Sequence, residues 1–417
     1  MGKIVINGGK RLTGEVHISG SKNSALPILI ATLLTDEQCI IGNVPELEDI
    51  TTVINLLEYL GKKVKTAKNT VTVMQAKNPR TEAPHEIVSK MRASVLAIGP
   101  LLARFKHAQI PLPGGCEIGL RPINIHLDGF KKMGAKSNVS AGNVLLKAKK
   151  LSNARIILDF PSVGATENLL MAATLVAGET LIENAAMEPE IEDLANFLQE
   201  MGAQISGAGS KTITINGVKK LFGTQYNVIP DRIEAGTYMI SSAITGGDVK
   251  VTDSVYEHNE SLIDKIKLSG ADITRDAGTV IIKGRRNVKP VDVETLVYPG
   301  FPTDIQPMWM ALMTVASGES LINETIFENR FQTIAQFVRM GADIKLKGAC
   351  AVVKGVKKLN GAEVCASDLR SAAALILAGL AARGRTEVKG LEHLDRGYEN
   401  IIHKLRKLGA DIKRVEE

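Results

Sequence analysis

The side chain in this sequence with the clearest potential for chemistry is Cys116, which falls in the stretch Pro111-Leu112-Pro113-Gly114-Gly115-Cys116-Glu117-Ile118-Gly119-Leu120-Arg121-Pro122. Proline and glycine at that density predict an exposed loop rather than a helix or strand. Long loops of distinct character often serve as active-site lids. An accessible thiol a few residues from Arg121 is expected to have a lowered pKa and high reactivity. The remaining cysteines, Cys39, Cys350 and Cys365, lie in or beside strand-like or apolar stretches and are expected to be inert small hydrophobes. None of the four has a CxxC partner or a histidine at metal-ligand spacing, so neither a metal centre nor a disulfide framework is indicated.

A second set of candidates stands at the entrances to apolar runs: Lys22 and Asn23, Arg92, Thr166 and Glu167, Arg232 and Glu234, Asp304, and Asp368 with Arg370. Asparagine and aspartate at such places read as ordinary helix caps. Lysine and arginine do not, because a helix start carries free N–H groups and the positive end of the dipole. Lys22, Arg92 and Arg370 therefore point to something negative held at those helix starts.

Positioning such groups requires elements, and the chain supplies them as a repeat. A residue pair ending in glycine, usually followed by alanine, recurs at Leu60-Gly61, Met133-Gly134-Ala135, Met201-Gly202-Ala203, Ser269-Gly270-Ala271, Met340-Gly341-Ala342 and Leu408-Gly409-Ala410. The interval is roughly 68 to 73 residues, longer than common solenoid periods. Each signature follows an amphipathic stretch and precedes a β-rich one, which reads as helix, glycine stop, strand. Each unit also opens with a run apolar on nearly all faces: 24–34, 93–103, 169–177, 235–244, 307–316 and 371–382. Helices of that composition must be buried. The second unit alone carries the insertion that bears Cys116.

The bulk composition bounds the function. With 417 residues, 44% of them hydrophobic, the chain can bury more than one core. Basic residues exceed acidic ones, 51 against 45, without clustering, which suits anionic small molecules. Aromatics are 4% and no basic stretch is interleaved with them, so a nucleic-acid stacking platform is not expected. The start of the sequence turns polar at once and no apolar run is long enough to span a bilayer, so a cytoplasmic location without membrane insertion is expected. Two motif matches lead nowhere. Ser19-Gly20-Ser21-Lys22 fits an SxxK pattern but lacks its partner motifs, and Gly207-Ala208-Gly209-Ser210-Lys211-Thr212 lacks P-loop spacing and falls where a β-turn is expected.

Taken together, the six units, the cysteine loop and the charged helix starts make the sequence resemble the UDP-N-acetylglucosamine 1-carboxyvinyltransferase family of enolpyruvyl transferases, along essentially its whole length. The likeness is carried by Gly20-Ser21-Lys22-Asn23-Ser24, Met91-Arg92-Ala93-Ser94, residues 113–122, Ser162-Val163-Gly164-Ala165-Thr166-Glu167-Asn168, Pro230-Asp231-Arg232-Ile233-Glu234, Pro299-Gly300-Phe301-Pro302-Thr303-Asp304, Phe327-Glu328-Asn329-Arg330-Phe331 and Asp368-Leu369-Arg370. It implies an α/β fold of two inside-out barrel domains, each of three repeated units with buried helices and outer sheets. Residues 21–229 would form the first domain, with the cysteine loop, and residues 1–20 and 230–417 the second, the chain crossing between them twice. It also implies that the enolpyruvyl group of phosphoenolpyruvate passes to the 3-hydroxyl of UDP-N-acetylglucosamine with release of phosphate, the first committed step of peptidoglycan precursor synthesis, without a cofactor.

By the same resemblance Lys22, Arg121 and Arg396 surround the phosphate of phosphoenolpyruvate, with Asn23 nearby, and Arg370 serves its carboxylate. The UDP-sugar contacts would be Asn23, Arg92, Arg121, Pro122, Ile123, Asn124, Ile125, Ser162, Val163, Gly164, Asp304 and the backbone at Ile326. Asp304 would take the proton of the sugar hydroxyl, and Cys116 would donate a proton to the enolpyruvate and be the target of fosfomycin. Nearby cations favour the thiolate whereas a donor must be a thiol, so Cys116 protonation is expected to be coupled to substrate binding. Asn124 and Phe160 stand where relatives often carry Asp and Lys. Two other readings stay open on the sequence: a shikimate 3-phosphate enolpyruvyl transferase, which shares the fold and donor but lacks the cysteine loop, and a non-catalytic UDP-sugar-binding paralogue.

Overall fold

The computed structural model describes residues 2–75, 78–112, 123–140 and 142–416. Cys116, Arg121 and Pro122, with the loop that carries them, lie outside the described residues.

The repeat read from the sequence is one supersecondary unit. In its clearest copy a short strand, Arg155–Ile157, leads into the inner helix Val163–Ala173 and returns as strand Gly178–Glu183. The outer helix Pro189–Glu200 and a hairpin of Gln204–Ser206 and Thr212–Gly217 follow. The returning strand pairs parallel with the first, Ile182 opposite Ile156, and antiparallel with the hairpin, Ile182 opposite Ile213. Five four-stranded sheets and one three-stranded sheet arise this way among the described residues; in the smaller one a parallel bridge between Glu82 and Gln109 marks the place of the missing strand. Each sheet stands as its own hydrogen-bonded ladder, so the expected barrels are groups of three sheets rather than closed ladders.

All six signature glycines have positive φ: Gly61 99°, Gly134 91°, Gly202 99°, Gly270 103°, Gly341 90° and Gly409 93°. They follow the ends of the outer helices, where a left-handed residue lets the chain turn into the hairpin and where any Cβ is strained. The Gly207–Thr212 segment is the hairpin turn, with Ser210 N–H donating to the Gly207 carbonyl at 3.0 Å.

Contacts divide the described residues into two compact units, one built from those within 2–19 and 230–416, the other from those within 20–112 and 123–229. Each has its own hydrophobic cluster. In the first, the inner helices Arg232–Thr245, Gln306–Met313 and Leu369–Ala381 pack against one another and against their own sheets. Every residue from Ile233 to Ile244, Gln306 to Met313 and Arg370 to Leu380 is buried. The N-terminal strands complete two of this unit's sheets. Lys3–Asn7 lies antiparallel between Arg385–Lys389 and Asp411–Val415, and Thr13–His17 lies parallel to Asp248–Thr252.

In the second unit the inner helices are Lys22–Ala31, Ile98–Phe105 and Val163–Ala173, and its sheet around Cys39–Gly42 is completed by Gln225–Asn227 from the unit's far end. The run 93–103 is not one α-helix, as expected, but a 3₁₀ turn, Arg92–Ala97, followed by the α-helix Ile98–Phe105. Pro100 explains the break: its ring clashes with the carbonyl four residues back, so regular α-helix starts late enough to place the proline in a first turn.

Candidate active site

In the Gly20–Ile229 unit, Ser21 caps the first inner helix by accepting from Ser24 N–H at 3.3 Å. Lys22 and Asn23 are its first residues, both partly exposed. Lys22 Nζ donates to Asp49 Oδ2 at 3.1 Å, and Asp49 is buried in the first turn of the outer helix Glu48–Tyr59. Arg92 opens the 3₁₀ turn, which packs on the Lys22–Ala31 helix. Ser162 caps the third inner helix by accepting from Ala165 N–H at 3.4 Å, leaving Val163 and Gly164 as its partly exposed first residues.

Ile123 is buried, Asn124 exposed and Ile125 half-buried at the start of the helix Asn124–Lys132. That helix lies against Val163–Ala173 at a separation only glycine permits. A Cβ on Gly129 would stand 2.6 Å from the Leu169 methyls. His126 then reaches the start of the inner helix, where a Cβ on Gly164 would lie 3.4 Å from its Cε1. Burial, and then the charge of Arg92, push the His126 pKa from 6.5 down to about 3. Arg92, 123–125 and 162–164, separate in sequence, are thus brought to one place.

The depressed histidine makes a stability prediction. Because the folded-state pKa lies below the unfolded one, His126 contributes stability fully above about pH 6.5 and loses it as pH falls toward 3. By about pH 5 roughly 2 kcal/mol of that contribution is gone. His126→Gln, which does not titrate, is expected to flatten the fall in urea midpoint between these pH values. A variant whose midpoint falls as steeply as the parent's would show that the histidine does not drive it.

In the Pro230–Glu417 unit, Asp304 lies two residues ahead of the inner helix Gln306–Met313. Arg330 Nη2 donates to its Oδ1 at 2.5 Å and Arg370 Nη2 to its Oδ2 at 2.8 Å. Arg330 also donates to the Thr303 carbonyl through Nε and Nη2, so its plane is fixed. Arg370 is buried near the start of helix Leu369–Ala381; Asp304 is the leading favourable charge that opposes the cost of burying it and holds its pKa above the usual guanidinium value. The Tyr398 ring lies 5.7 Å from the Arg370 guanidinium carbon. Arg396, half-buried, precedes Gly397, whose absent Cβ would stand 2.4 Å from a Leu369 methyl, so Arg396 is tied to the same helix start. Glu324 accepts from Thr295 and Thr303 hydroxyls and from Ile326 and Phe327 N–H groups. With its N–H occupied, Ile326 has its carbonyl left for a ligand.

The dipole reading asks for an anion beside Lys22 and Arg370, and the fold supplies one to each from its own chain, Asp49 and Asp304. Sequence reasoning named neither pairing. It also gave no role to Arg330 or Asn168, although they stand in the Phe327–Phe331 and Ser162–Asn168 motifs, and it did not single out Glu324 or His126. For the last two the sequence holds no spacing signal. Cys39 is buried, with burial raising its pKa, as an inert thiol should be. Cys365 departs from expectation: it ends the short strand Glu363–Cys365 with its side chain exposed. Among the described residues no cluster of three metal-ligating side chains occurs, and no described helix is long and apolar enough to cross a membrane.

Two groups of three sheets around buried, polar-fronted helices place this architecture with the enolpyruvyl transferases. The profile of the EPSP synthase (3-phosphoshikimate 1-carboxyvinyltransferase) family matches residues 6–405. The crystal structure of the enolpyruvyl transferase NikO from Streptomyces tendae aligns with a TM-score of 0.89 at 25% identity over 99% of both chains. An EPSP synthase from Acinetobacter baumannii shares the fold alone, with a TM-score of 0.78 at 20% identity. The UDP-N-acetylglucosamine 1-carboxyvinyltransferase of Geotalea uraniireducens is much nearer, 54% identical over 417 residues and the full length of both chains. The chain belongs to the UDP-N-acetylglucosamine 1-carboxyvinyltransferase family.

Proposed function

We propose that this chain transfers the enolpyruvyl group of phosphoenolpyruvate to the 3-hydroxyl of UDP-N-acetylglucosamine, releasing phosphate, in the cytoplasm and at the entry to peptidoglycan precursor synthesis. The observation that carries the reading is Asp304, a carboxylate held between two guanidiniums with 29% of its side chain open. A base fixed in this way can take a proton from a sugar hydroxyl while Arg370, beside it, receives an anion. The free state of the described cysteines fits a reducing compartment.

In this reading a proton adds to C3 of the enolpyruvate and the sugar oxygen bonds to C2, giving a tetrahedral ketal. Loss of a C3 proton and of phosphate then restores the double bond. Asp304 accepts the hydroxyl proton and Cys116 supplies the proton to C3. Lys22, Arg121 and Arg396 bind the phosphate and Arg370 the carboxylate, whose two oxygens suit a guanidinium fork. Asn23, Arg92, Arg121 to Ile125, Ser162 to Gly164 and the Ile326 carbonyl hold the UDP-sugar. Fixed charges that need no rearrangement during reaction supply much of the rate.

Phosphate release from phosphoenolpyruvate decides among the readings. It is expected with UDP-N-acetylglucosamine as acceptor and not with shikimate 3-phosphate; the reverse would sink the assignment, and release with neither would favour a binding-only protein. Cys116→Ser is expected to abolish covalent inactivation by fosfomycin and to lower kcat by about 10²-fold or more, because a hydroxyl is the weaker acid and nucleophile. Labelling of the serine protein to the parent's extent, read by mass spectrometry, would put the reactive thiol elsewhere, with exposed Cys365 the first place to look.

A further inference from the structure

Asn168, on the inner helix Val163–Ala173, is wholly buried and its amide has one consistent orientation. Its Oδ1 accepts from Gly99 N–H at 2.6 Å, an atom that can only donate. The Nδ2 group therefore faces the other way, donating to the Val95 carbonyl at 3.0 Å and to His126 Nδ1 at 3.1 Å. A nitrogen that accepts carries no proton, so the imidazole proton sits on Nε2. The ring is 4% exposed, and its Cε1–Nε2 edge faces Gly164, where a Cβ would lie 3.6 Å from Nε2. Nε2 has no partner among the described residues. Arg92 is the charge that acts on this ring.

Building on the proposed function, we infer that Asn168 is a positioning residue that locks His126 as the Nε2–H tautomer, so that a neutral donor, set between Arg92 and the start of the Val163–Ala173 helix, hydrogen-bonds an anionic oxygen of the nucleotide-sugar acceptor. A neutral donor suits the place: burial makes a second cation beside Arg92 costly, while a hydrogen bond to a charged group keeps most of its worth. Gly99 N–H and the Val95 carbonyl act as the template, since they alone decide which way the amide faces.

Protein labelled with ¹⁵N-histidine tests the lock without ligand. His126, identified by the signal lost in His126→Gln, is expected to show a bare Nδ1 and a protonated Nε2, unchanged from about pH 8 to about pH 5. A proton on Nδ1, or titration within that range, would overturn the lock. Asn168→Asp replaces the donor with an acceptor and is expected to draw the proton to Nδ1, raising KM for UDP-N-acetylglucosamine by about tenfold or more while KM for phosphoenolpyruvate stays within about twofold. A variant in which the proton moves and the acceptor KM does not would overturn the donor role. Parent protein that fails to bind UDP-N-acetylglucosamine sinks the functional reading instead, a result told apart because the nitrogen signals are read before any ligand is added.

Discussion

Asp304→Asn is expected to cut kcat by about 10²–10⁴-fold, the usual span for loss of a positioned acid or base, while the protein still folds. Two effects combine. The amide is too weak a base to take the hydroxyl proton. Its NH₂ group must also face one of two guanidiniums that now meet carboxylate oxygens, Arg330 at 2.5 Å and Arg370 at 2.8 Å, and there donor opposes donor. Arg330 keeps its bonds to the Thr303 carbonyl and is expected to hold still, so the disturbance falls on Arg370. Asp304→Glu keeps the charge but moves it by a methylene, and should recover only part of the rate. Steady-state phosphate release measured for the two variants separates the contributions. If the asparagine variant turns over within about tenfold of the parent, Asp304 is a structural counter-ion and the base lies elsewhere.

What the sequence made legible follows from how local each signal is. Gly61 and its five counterparts could be read because a left-handed residue after a helix is a constraint that glycine satisfies at no Cβ cost. The inner helices could be read because burial on every face leaves no polar stripe, as in Gln306–Met313. The charged starts were visible for a related reason: Lys22 and Arg370 stand where the helix dipole opposes them. Their partners were not visible, since Asp49 is 27 positions from Lys22 and Asp304 is 66 from Arg370. Such pairs are set by the way sheets and helices stack, and no spacing rule encodes them. The same holds for Asn168 and His126, 42 positions apart and joined only when their helices close over Gly129. Where the local signal misled, the cause was also identifiable. Pro100 broke a run whose apolar pattern was otherwise helical, and Cys365 ended on the outside of a three-residue strand too short to declare a face.

The buried guanidinium sets up the second large effect. Arg370→Lys preserves the charge, but an ammonium presents no planar fork and cannot meet Asp304 and a substrate carboxylate at once with parallel bonds. kcat/KM for phosphoenolpyruvate is expected to fall by about 10²-fold or more, with KM for the nucleotide sugar little changed. Stability should fall as well. Breaking a buried ion pair costs about 3–5 kcal/mol when the remaining charge is stranded. Here Asp304 keeps Arg330 and is 29% exposed, so the loss should lie below that range. Arg370→Met fills similar space without a charge: it should cost about as much activity and, with Asp304 left to Arg330 alone, lower the denaturant midpoint at least as far as the lysine variant does. A lysine variant that keeps kcat/KM within about threefold would mean that the carboxylate of the donor is held by another cation, and Arg396, tied to the same helix start through Gly397 and Leu369, would then be the residue to replace next.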